Sequence, residues 1–206
     1  IGDAELGTCA YNANLVLKYA RISGKEIYLQ AGLNALQFME RFSVPRGAQT
    51  WEIPLHAPDM VASARAIQAY LEAYEITKRK EYLARAIYWA KAGLPFLYLW
   101  QEPDVPLMRY ASIPAYGATY FISSWFGLPV QWCGLVYAYG IQKLSEYDHS
   151  LPWKTIAEGI IVSAMYQTFT GEGAKGCYTD AVRDYFTTFS PYAVNPEDKL
   201  INIHRL

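Results

Sequence analysis

Leu17-Lys-Tyr-Ala-Arg-Ile22-Ser-Gly24-Lys-Glu-Ile-Tyr28-Leu29 aligns without gaps to Leu71-Glu-Ala-Tyr-Glu-Ile76-Thr-Lys78-Arg-Lys-Glu-Tyr82-Leu83, and this pair of stretches decides the fold. Leu, Ile, Tyr and Leu recur at matching places, 54 positions apart. Each copy reads as a helix, a short polar turn and a second helix. Self-similarity at a fixed period signals supersecondary units that stack to share a core. A third, weaker copy runs from Leu135 to Phe169, with its turn at Asp148-His-Ser-Leu-Pro152.

Working outward, Met60, Ala64, Ile67, Leu71 and Tyr74 fall on one face of a helix, and Leu83, Ile87 and Ala90 line one side of its return partner. Asp59 follows Pro58 where a helix N-cap belongs. The first hairpin pairs roughly 10–22 with 26–42. The third pairs roughly 130–147 with 153–169, where Pro152 and Trp153 suit a helix start. No stretch alternates strongly enough to demand a sheet, although 105–113 and 116–122 suit short extended pieces. The expected class is mainly α, built of repeated antiparallel hairpins over approximately 10–42, 58–94 and 130–169.

The turns inside the hairpins (Ser23–Lys25, Thr77–Lys80, Asp148–Pro152) are short and polar. The connections between them (Ser43–Pro58, Pro95–Pro129 and Thr170 onward) are long and rich in Trp, Tyr, Pro, Glu and His. In an antiparallel array alternate connections emerge at opposite ends, so the three long ones are expected at the same end. Long structured loops gathered on one face are where function usually sits.

The 206 residues suit one domain or a piece of a larger one, and a 52% hydrophobic content excludes intrinsic disorder. No apolar run reaches the roughly 18 residues of a membrane span. A net charge of −1 without a basic run argues against nucleic acid. Aromatics reach 16%, with 18 Tyr and 6 Trp, several of them in loops, which suggests a stacking surface of the kind sugars suit. Cys9, Cys133 and Cys177 lack metal-type spacing and read as buried thiols. No His-Glu-x-x-His helix, Gly-x-Gly-x-x-Gly turn, Walker loop or Gly-x-Ser-x-Gly elbow occurs, so neither a metal nor a cofactor is expected. The chain starts at Ile1 and its last segment, Asn195 to Leu206, has no clear closing element, so the remainder of a longer chain is expected. The termini do not fix a compartment; a periplasmic or extracellular one is the expectation.

Helical hairpins with aromatic, acidic loops on one face resemble half of an (α/α)6 toroid, in particular the six-hairpin glycosidase superfamily. The resemblance runs from Ala10 to about Asp184 at the level of architecture. Its closest segments are Trp51-Glu-Ile-Pro-Leu-His-Ala-Pro-Asp59, Gly127-Leu-Pro-Val-Gln-Trp-Cys-Gly134 and Tyr178-Thr-Asp180. It implies a carbohydrate-active cleft at the face where the inner helices begin, and six hairpins, of which three are counted here.

Glycoside hydrolysis normally needs two carboxyls, one to protonate the leaving oxygen and one as base or nucleophile. Glu52 stands beside Trp51, where desolvation would raise its pKa toward that of a general acid. The second carboxyl is Asp59, whose competing role is an N-cap, or Asp180, which follows a Gly-rich loop. His56 is a sugar-hydroxyl ligand or a proton carrier. Trp51, Trp125 and Trp132 suit stacking, whereas Trp89 and Trp153 fall within helices and read as core. Gln131 and Tyr116 are hydroxyl-binding candidates, and Arg109 with Tyr110 a carboxylate-binding one.

The function expected first is a glycoside hydrolase on an oligo- or polysaccharide substrate. A polysaccharide lyase or sugar epimerase on the same architecture is the alternative, with His56 or a Tyr moving the proton. A non-catalytic carbohydrate-binding module of helical repeats is the third.

Overall fold

In the computed structural model of the chain, residues 4–49, 56–101, 109–113, 115 and 130–166 are described. Among them the chain is mainly helical, with six α-helices and no strand: α1 (Leu6–Ser23), α2 (Glu26–Met39), α3 (Met60–Thr77), α4 (Lys80–Gly93), α5 (Gln131–Leu144) and α6 (Trp153–Tyr166). The bounds of α3 and α4 repeat those of α1 and α2 at a spacing of 54 residues. Both first helices stop on a left-handed residue, Gly24 (φ 66°) and Lys78 (φ 58°). In each case the cap N–H closes on the carbonyl four residues back, Ala20 and Tyr74. Helix α2 ends three residues before the expected Phe42, because the chain tightens into Glu40 N–H to Gln37 O and Phe42 N–H to Met39 O bonds.

Helices α1 and α2, α3 and α4, and α5 and α6 pack as pairs, and α1, α3 and α5 also pack side by side in a row. Helix α3 is the centre of this row, with 12 of its 18 residues buried, against 3 of 14 in the outer α2. Its alanines at 62, 64, 66, 69 and 73 bring its neighbours close, while Met60, Ile67 and Leu71 fill the space towards them. Trp89 and Trp153 are fully buried, as their helical positions predict.

Helix α3 also carries a polar seam. Arg65, Gln68, Glu72 and Glu75 recur at i, i+3, i+7 and i+10, so they share one face. That face touches both neighbours. Arg65 lies over the Tyr11 ring of α1, and Gln68 Nε2 donates to Val136 O of α5. Glu72 Oε1 sits 2.7 Å from Arg21 Nε, while Glu75 accepts from Lys143 Nζ at 2.7 Å and from the Tyr147 hydroxyl at 2.9 Å. The end carrying the short turns is therefore more than a set of connectors, since it holds an ion network joining three helices.

At the other end the first two long connections meet. Gly7 N–H of α1 donates to Arg46 O, Arg46 pairs with Pro58, and Asp59 pairs with Ala115. Val130, which leads into α5, donates to Ser112 O at 2.7 Å. The starts of α1, α3 and α5 are thus each touched by a long connection. Of the expected extended piece over 105–113 only 109–113 is described, and there Ser112 makes an isolated pairing with Leu97. The 116–122 piece and the third long connection lie outside the described residues.

Candidate functional site

Several hydrogen bonds at this end converge on Asp59. Pro58 limits the backbone just before it, and Asp59 N–H donates to Pro45 O at 2.8 Å. Its carboxylate is fully buried. Oδ1 accepts from Ala62 N–H at 2.7 Å, which caps α3, and Oδ2 accepts from Ala48 N–H at 2.9 Å, which ties down the incoming loop. Burial pushes the Asp59 carboxyl up to about 6, against the pull of the Ala48 and Ala62 N–H groups and the Arg65 charge. Both oxygens face backbone donors, so the geometry gives Asp59 the capping role together with a loop-fixing one. Gly47 (φ 76°) lets that loop approach Glu5, where a Cβ would lie 2.3 Å from the Glu5 Cβ.

His56 is exposed, with Nδ1 2.9 Å from Oε1 of Glu5. Glu5, at the N-cap position of α1, fixes which way the imidazole faces. Two further groups here have unusual surroundings. Gln49 is completely buried, and among the described residues neither its Oε1 nor its Nε2 has a hydrogen-bond partner. Arg65 is half-buried, and its Nη1 makes a long 3.4 Å contact with Ala48 O. Burial pulls its guanidinium down from the ordinary value, with the Asp59 and Tyr11 charges opposing.

The remaining candidates separate. Gln131 is buried, and its carboxamide is engaged within the chain. Nε2 donates to Tyr110 O and Ile160 O, and Oε1 accepts from Ser112 N–H. It binds the second connection to α5 and α6, a positioning role. Arg109 is exposed, with its guanidinium 5.1 Å from the Tyr110 ring. Trp132 is partly buried and packs on the core. Trp51, Glu52, Tyr116, Trp125 and Asp180 lie outside the described residues.

Glu5, Gln49 and Arg65 were not singled out by the sequence. The seam spacing from Arg65 to Glu75 was a signal for Arg65. For Gln49 there was none, because burial of a loop amide depends on what folds over it. Trp100 also emerges as an indole 55% exposed, edge-on to Tyr98 at 5.2 Å, beside a cavity of about 180 Å³ lined by Pro95, Phe96, Leu97 and Ile113. Among the described residues no group of three or more His, Cys, Asp or Glu is placed to hold a metal ion, and no helix is long and apolar enough to cross a membrane. Comparison with family models, curated proteins and solved structures finds no match to this chain.

Proposed function

We propose that this chain is part of a carbohydrate-active enzyme, a glycoside hydrolase in which hairpins like these stand side by side in an (α/α) toroid. The observation that carries the reading is the gathering of the first two long connections at the starts of α1, α3 and α5, through the Asp59–Ala115 and Val130–Ser112 contacts. The row of inner helices with one outer partner each, and the polar seam along α3, fit that architecture. Glu52 is the proposed general acid, with Asp180 as its partner carboxyl. Asp59 ties the first long connection to the start of α3 through Ala48 and Ala62. His56, Trp51, Tyr116, Trp125 and the exposed Trp100 are the proposed sugar contacts.

One observation favours the lyase or epimerase alternative. A His whose Nδ1 faces a carboxylate, as His56 faces Glu5, is arranged as a proton carrier. Product analysis on a polysaccharide panel separates the readings. A hydrolase releases saturated reducing ends, a lyase leaves an unsaturated sugar absorbing in the ultraviolet, and an epimerase returns an intact chain with altered stereochemistry. Binding without any product supports the non-catalytic module.

A further inference from the structure

We propose that a second copy of this chain docks head to tail on the helix row, with the outer side of its α5 seated against the exposed apolar face of α1. The proposal does not rest on the carbohydrate reading.

The internal repeat identifies that face. On α3, Ala62, Ala66, Ala69 and Ala73 recur at i, i+4, i+7 and i+11 and are completely buried. Helix α5 lies on another side of α3, where Gln68 reaches Val136 O and Gly140 lies against Ile67. Helix α4 lies on a third side, where Ser63 donates to Trp89 O. The alanine face is the one left for α1, and Arg65 and Glu72 beside it touch Tyr11 and Arg21 of that helix. The positions 54 residues earlier, on α1, are Thr8, Asn12, Leu15 and Tyr19, with Ile22 one turn on. All of them are exposed, Leu15 by 48%, Tyr19 by 49% and Ile22 by 81%. A stacked helical array is polar where its end meets solvent. An edge carrying Leu15, Tyr19 and Ile22 is built to be covered.

Charge selects the occupant. Aligning the helices by their first residues puts Arg21, Glu75 and Glu146 at one equivalent position, and Lys18, Glu72 and Lys143 at another. At each junction the first position of one helix pairs with the second position of the next. Arg21 Nε lies 2.7 Å from Glu72 Oε1, and Glu75 Oε2 lies 2.7 Å from Lys143 Nζ. The pair that continues the series is Glu146 with Lys18, again of opposite sign. Among the described residues neither makes an ion pair. Beside Glu146 the outer side of α5 presents Tyr139, 60% exposed, and the exposed Gln142. The chain therefore carries both halves of a third junction. Helix α3 stands between α1 and α5 in the row, so those halves meet only between copies.

The test is sedimentation velocity of the 206-residue chain, over a series reaching about 100 μM. The wild type should sediment with a mass above the 23.3 kDa of one chain. Lys18→Glu and Glu146→Lys should each weaken association at least tenfold. An equimolar mixture of the two variants should regain it, because the acid placed on one copy meets the base placed on the other. Ile22→Lys should also dissociate the copies while helical circular dichroism is unchanged, since that side chain is exposed in the single chain. A monomer throughout the series overturns the inference. So does wild-type association by any of the three variants, or a mixture that associates no better than its parts.

Discussion

Arg21 Nη1 lies 3.3 Å from Glu75 Oε2, and the two residues occupy equivalent places 54 positions apart, one near the end of α1 and one near the end of α3. Equivalent positions of opposite charge therefore face each other across the neighbouring helices α1 and α3. Lys143 of α5 approaches the same Glu75 oxygen at 2.7 Å and Glu72 at 3.8 Å. Burial alone would raise the Glu75 carboxyl. Hydrogen bonds from Lys143 and Tyr147, with the Lys143 and Arg21 charges, outweigh it and hold Glu75 below its ordinary value.

Removing both cations should be severe, because Glu72 is fully buried and would be left uncompensated. The Arg21→Ala, Lys143→Ala double variant should lose about 3–5 kcal/mol, the scale for breaking a buried ion pair. Either single variant should lose less than half of that, since the other cation remains. Urea unfolding of the four proteins measures this. Strict additivity would show that the two cations do not share Glu72 and Glu75.

Asp59 predicts a pH dependence of the opposite sign to that of most native carboxylates. Its folded pKa of about 6 lies above the ordinary 3.8, so the folded state holds the proton more tightly than the unfolded one. The stabilisation is complete below about 4 and is lost as pH rises through about 6, where the carboxylate ionises in a buried place. Asp59→Asn abolishes that slope. The stability advantage of the wild type over this variant should shrink between pH 4 and 6.5, as read by thermal unfolding across that range.

The two hairpin turns give a matched pair of substitutions. Gly24 has open space around its missing Cβ, so Gly24→Ala should cost about 1 kcal/mol from its positive φ alone. Lys78 holds the same conformation without being glycine, and Lys78→Gly should gain about 1 kcal/mol. Opposite signs at two positions 54 residues apart would tie both to the same cap geometry.

These positions also show how much of the molecule was legible in advance. The Leu17–Leu29 and Leu71–Leu83 match located both turns, and the apolar face from Met60 to Tyr74 located the buried side of α3, because both are local periodic signals. Asp59 after Pro58 marked a helix start for the same reason. The polar seam on α3 has the same helical spacing, but Glu72 alone reads as solvated. Only the approach of α1 and α5 buries it. Gln131 read as a ligand group because a polar residue at a helix start leaves its partners open. Those partners, Tyr110 O, Ser112 N–H and Ile160 O, come from two distant segments.

Gln131 accordingly predicts a fold defect. Gln131→Ala leaves Ser112 N–H without its Gln131 partner in a buried place, and should cost about 1–3 kcal/mol. Hydrogen exchange at Ser112 should rise selectively in that variant. Unchanged protection there would show that the second connection is held by other contacts.

The proposed catalytic role of Glu52 is tested most directly by turnover of Glu52→Gln on whichever polysaccharide the wild type cleaves. Loss of a general acid costs on the order of 100- to 10,000-fold, so the variant should fall by at least about 100-fold while its affinity for the same saccharide is retained. Near-wild-type turnover by Glu52→Gln would contradict the account.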